Sequence, residues 1–74
     1  MMMDKNPDAI AMFTKSLEIN GYQAHVYFRR ALAYFQENQL ILALHDLDNA
    51  VALGLSAEEE KKLRAAIAKK IDMV

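Results

Sequence analysis

Cysteine is absent from the 74-residue sequence, which excludes a disulfide framework, a thiolate metal cage and a cysteine nucleophile. The absence fits a reducing compartment without demanding one. One proline and two glycines leave no glycine-rich phosphate loop and no stretch punctuated like a run of β-strands. A formal charge of −1 provides no long-range field to draw nucleic acid or an anionic membrane. No apolar run approaches the roughly 20 residues of a membrane span. The Met-Met-Met opening gives way to Asp4, Lys5 and Asn6 before a signal-peptide core can form. These absences point to a soluble, cytoplasmic protein without cofactor, nucleic acid or membrane partner.

Apolar residues, by contrast, are plentiful, at 54% of the chain. A chain this short buries only about 60% of its unfolded surface by itself. Unstapled scaffolds of this size rely on tight helix packing or on other chains. A partner or a second copy is therefore the default expectation.

The apolar residues recur at helical spacing. Ile10, Phe13 and Leu17 form the main stripe of a first helix at about 7–19, with Ala9, Met12 and Ser16 beside them. Asn6-Pro7-Asp8 reads as its start, and Asn20-Gly21 as a left-handed stop. A second helix at about 22–37 carries Tyr27, Ala31 and Tyr34 on one stripe and Phe28, Leu32 and Phe35 on the next. The polar Glu37-Asn38-Gln39 turn separates it from a third helix at about 40–53, striped by Ala43, Leu47 and Ala50 and by Leu40, Leu44 and Val51. So short a turn folds two helices back into an αα-hairpin. Gly54 stops the third helix, and Ser56 with Glu59 forms a capping box for a fourth at about 57–72. That helix starts acidic (Glu58, Glu59, Glu60), ends basic (Lys69, Lys70), and carries a narrow stripe of Leu63, Ile67, Ile71 and Val74. Residues 1–5 read as a leader and 6–74 as one all-α domain.

Self-similarity appears at a period of 34. Ala9 aligns with Ala43, Ile10 with Leu44, Phe13 with Leu47, Ser16 with Ala50, Leu17 with Val51 and Ile19 with Leu53. Small residues meet small ones, and large apolar residues meet large ones. With its helix-turn-helix unit, this period resembles the tetratricopeptide repeat family. Tyr27, Ala31 and Tyr34 match the family's large–small–tyrosine pattern in the first helix of a repeat. Ala43, Leu47 and Ala50 match the small–large–small pattern of the second, and so do Ala9, Phe13 and Ser16. The resemblance covers about residues 8–55 and implies one and a half repeats, with the fourth helix as an end cap. Arg30 stands where the family prefers Leu, and Gly21 and Leu55 where a repeat often ends in Pro.

The family lines a concave groove with the first helices of its repeats and binds peptides or helices there. Carried over, the groove residues are His25, Phe28, Arg29, Leu32 and Phe35. Phe28 and Leu32 occupy positions where carboxylate-clamping members hold Lys and Asn, so such a clamp is not expected. What remains is an apolar strip with a basic rim of Arg29 and Arg30. Phe28, Leu32 and Phe35 either meet another chain or lie under the fourth helix or the leader. The resemblance also implies that the first helix lacks the helix that should precede it, leaving the flank of Ile10, Met12 or Phe13 open.

His45, Asp46 and Asp48 fan out around a helix instead of converging, so they read as a solvated polar face and not as metal ligands. The basic residues of the fourth helix, Lys61, Lys62, Arg64, Lys69 and Lys70, have no aromatic interleaving and sit beside three glutamates, which argues against nucleic acid. No Ser–His–Asp arrangement is brought together, so no enzyme is expected. The sequence thus points to a protein–protein interaction module that binds a partner or assembles with itself. The alternative is a designed or excised repeat fragment whose only property is assembly.

Overall fold

Four helices succeed one another in the computed structural model, which describes residues 6–72. They are α1 (Asn6–Ile19), α2 (Ala24–Gln36), α3 (Leu40–Ala52) and α4 (Ala57–Asp72). No strand occurs among the described residues. The expected leader and the Val74 end of the fourth stripe lie outside them, as does the capping role given to the Asn6 side chain.

Two of the three turns use the same device. At the end of α2, Asn38 takes a left-handed φ of 63°, and at the end of α3, Gly54 takes 109°. In each turn the two following amides reach back to the helix. Asn38 N donates to Phe35 O at 3.1 Å and Gln39 N to Tyr34 O at 2.9 Å. Gly54 N donates to Val51 O at 3.0 Å and Leu55 N to Ala50 O at 2.9 Å. This paired reach-back satisfies carbonyls that the helix end would otherwise orphan. Leu55 then packs against the core, so the turn also contributes apolar contact. The helices stop one residue short of expectation because Glu37 (φ −88°, ψ 7°) and Leu53 (φ −96°, ψ 5°) have already left helical geometry.

The first turn differs from the sequence expectation. Neither Asn20 nor Gly21 has a positive φ. Instead the Asn20 side-chain oxygen accepts from Tyr22 N at 3.0 Å. The Gln23 amide folds back onto α1, donating to Asn20 O at 2.8 Å, Ser16 Oγ at 3.1 Å and Ser16 O at 3.2 Å. Gln23 itself stays extended, so α2 begins at Ala24 and not at residue 22. At α4 half of the expected capping box forms: Ser56 Oγ accepts from Glu59 N at 3.3 Å, while the Glu59 carboxylate accepts from the Ser56 hydroxyl at 3.1 Å and not from the Ser56 backbone.

The chain forms a slab of 36 × 33 × 17 Å. Its thinnest dimension suits two layers of helices spaced about 8–10 Å apart. Each helix packs chiefly on its neighbours in sequence: α1 on α2, α2 on α3, and α3 on α4. The centre is built from small residues that let backbones approach and large ones that fill the gaps. Ala31, Ala43 and Ala50 are fully covered, as is Leu47, and Leu63 and Ile67 come in from α4. Burying a leucine such as Leu47 contributes about 1.5–3 kcal/mol. No helix of the described chain is long and apolar enough to cross a membrane.

Candidate interaction surface

Arg30 and Asp46 form the most buried ion pair among the described residues. The Arg30 guanidinium donates to both carboxylate oxygens of Asp46 on α3, at 2.7 and 2.8 Å, and to Thr14 Oγ1 on α1 at 3.0 Å. Tyr27 and Tyr34, one turn to either side, place their rings 5.7 Å from the guanidinium carbon. Asp46 is 3% exposed. The hydrogen bond to Asp46 raises the Arg30 pKa above its ordinary value, against the opposing pull of burial. A forked ion pair stacked between aromatic rings is geometry that Arg supplies and Lys does not. One side chain thereby ties three helices together.

This finding corrects two expectations. Arg30 is not on a basic rim, and Asp46 is not on a solvated face; the half-buried guanidinium pairs with the buried carboxylate. The sequence did carry a signal: an arginine with tyrosines three residues before and four after, and an acid set among the apolar stripe of α3. The signal joins residues on different helices, so reading each helix separately misses it. His45 and Asp48, by contrast, are exposed as expected.

A second arginine repeats half of this arrangement. Arg64 donates to Asp48 Oδ1 at 2.9 Å and to Glu60 Oε2 at 3.0 Å. Arg64 and Asp48 each stand 34 positions beyond Arg30 and Thr14. The contact from a helix back to the one before it therefore recurs at that period. The Asp48 hydrogen bond is the leading cause of a raised Arg64 pKa. This pair is exposed, so it adds little stability.

The residues marked for partner binding fall into two groups. On α2, His25 and Arg29 are exposed, whereas Phe28, Leu32 and Phe35 are half-buried and packed against the core cluster. Part of that cover comes from α4. Lys70 Nζ lies 4.4 Å from the Phe35 ring centroid and donates to Phe35 O at 3.2 Å. The strip is thus largely taken up within the fold.

On α1 the situation is reversed. Ala43, Leu47 and Ala50 are all 0% exposed, on a helix flanked by both α2 and α4; Ala31, Leu63 and Ile67 share the core cluster with Ala43 and Leu47. The stripe's counterparts 34 residues earlier, Ala9, Phe13 and Ser16, are only half-buried. Leu17 is the one buried residue among the described side chains of α1, and Ile10 is half-buried. Beyond Ala9 and Phe13, the outer side of α1 carries Met12 at 72% exposure and Ile19 at 82%, and Tyr22 follows at 86%. Among the described residues α1 has one extensive neighbour, α2, whereas α3 has two.

The described residues form no pocket and no cluster of three or more groups able to hold a metal ion. The chemistry on offer is burial of apolar helical surface. The structure defines an all-α protein built from antiparallel helical hairpins. No protein-family model, curated protein or solved structure matches the chain.

Proposed function

We propose that this is a protein–protein interaction module of tetratricopeptide type, acting in the cytoplasm. It engages a helix of a partner, or of another copy of itself, through the open side of α1. The observation that carries the reading is the contrast between two equivalent stripes. Ala43, Leu47 and Ala50 are sealed by a helix, and Ala9, Phe13 and Ser16 are not. A repeat unit of this kind does not bury its own face alone and gains stability from whatever neighbour completes it. The recurrence of Arg30–Thr14 as Arg64–Asp48 supports the repeat register. Contiguous apolar surface rimmed by polar groups is what interaction sites look like.

Restoring the missing cover tests this reading. Residues 24–39, which supply α2 and its turn to α3, are grafted in place of residues 1–5, directly ahead of α1. Burying Phe13 and its neighbours contributes about 1.5–3 kcal/mol. In a domain this small, that raises the melting temperature by about 5–20 °C. An unchanged melting temperature would refute the repeat reading.

A further inference from the structure

We infer that the occupant of the open α1 face is α1 of a second copy, packed antiparallel in a closed two-fold dimer. The inference rests on the interaction-module reading and names its partner. The first argument is that the other end of the slab offers no mate. At the positions 34 residues beyond Tyr27, Ala31 and Tyr34 stand Lys61, Ala65 and Ala68, all small or charged and none buried. Arg64 beside them is already engaged by Asp48 and Glu60. Stacking α4 of one copy on α1 of the next would set lysine and alanine at the positions where α2 carries two tyrosines. It would also be a heterologous contact that propagates into an open filament instead of closing.

The second argument is that the α1 face is complementary to itself. Its small–large–small order lets Phe13 of each copy lie over Ala9 of the other when the helices run antiparallel. Asp8 and Lys15, both exposed and seven residues apart, lie along one edge of the same face. The pairs Phe13–Ala9 and Asp8–Lys15 are both centred near the middle of α1, so one antiparallel register satisfies packing and charge together. A parallel two-fold pairing would instead carry this edge to opposite sides of the two copies, so Asp8 and Lys15 would find no partner across the axis. Met12 then sits close to the two-fold axis, and Ile19 and Tyr22 extend the apolar rim.

A 14-residue helix is about 21 Å long, so this contact lies at the small end of specific interfaces. The dimer is accordingly weak and concentration-dependent.

Sedimentation equilibrium of the full chain from micromolar to millimolar concentration should show a monomer–dimer equilibrium and no larger species. Asp8→Lys should weaken dimerisation at least about tenfold, and Lys15→Asp likewise, while the double reversal should restore it, because the swapped charges meet again across the axis. All three variants lie on exposed positions, and far-UV circular dichroism verifies that they fold. Because the chain has no cysteine, Met12→Cys also gives a clean readout. It should cross-link into a disulfide dimer under mild oxidation, while Ile41→Cys, exposed on α3, should not. A monomer at every concentration overturns the dimer. So does a charge reversal that the double variant fails to restore, or equal cross-linking at both cysteines. If the ungrafted chain is monomeric at every concentration while the graft of residues 24–39 still raises the melting temperature, the dimer alone is refuted. If the graft has no effect either, the module reading falls with it.

Discussion

Replacing Arg30 with methionine removes the cation while keeping much of the side-chain volume. Asp46 would then hold a carboxylate in a site 3% exposed, without the two donors that now sit 2.7 and 2.8 Å away. Breaking a buried pair from one side costs about 3–5 kcal/mol, because the surviving charge keeps its desolvation penalty. A 74-residue domain has about 4–11 kcal/mol of stability in all. Arg30→Met should therefore leave the chain marginally folded. The double variant, Arg30→Met with Asp46→Leu, removes both charges and should recover to near or above the parent, since replacing a buried pair by apolar groups is often neutral or favourable. The loss from the double variant should thus be far smaller than the sum of the two single losses. Urea unfolding followed by far-UV circular dichroism at neutral pH measures all four corners of the cycle. A single-variant loss below about 1 kcal/mol, or a double variant that loses the full sum, would refute the assignment of Arg30 as the tie between helices. Asp46 raises the Arg30 pKa, and a raised group contributes stability below its unfolded pKa and loses it only as pH climbs through the folded value. Arg30 therefore keeps its charge through the whole acid and neutral range.

The remaining predictions concern packing and turns. Leu47→Ala, at a side chain with no exposure among three fully covered alanines, should cost about 2–5 kcal/mol by leaving a cavity, measured by the same urea titration. Gly54→Ala should cost about 1 kcal/mol or more through its φ of 109° alone, since an added Cβ meets nothing within 4 Å. Asn38→Ala should cost about 1–2 kcal/mol at its φ of 63°, while Asn38→Gly should be close to neutral; thermal melts of the two variants side by side would show the ordering.

Much of the fold was legible because helices are local. The 3.6-residue spacing of Leu17, Ala43, Leu47, Leu63 and Ile67 marks the faces that the structure buries. Gly54 and Ser56 mark the start and stop that the structure uses. Asn20-Gly21 misled because both residues tolerate the left-handed region without requiring it. A tertiary competitor, the Gln23 amide reaching back to Ser16, shaped that turn instead. The candidate groove on α2 was harder. Periodicity places Phe28, Leu32 and Phe35 on one face, but whether that face is open depends on α4, and Lys70 over Phe35 answers it only in three dimensions.

By itself the sequence determined the four helices, two of their three turns, and the small–large order that lets backbones approach, because each is set by residues within a turn or two of one another. Only the tertiary structure decided which polar residues are core. Arg30, Asp46 and Thr14 lie 16 residues apart in steps along the chain, and their bonds form when α1, α2 and α3 are side by side. It also decided that the stripe of α3 is sealed while the matching stripe of α1 is not, since exposure is a property of neighbours and not of the residues that need them.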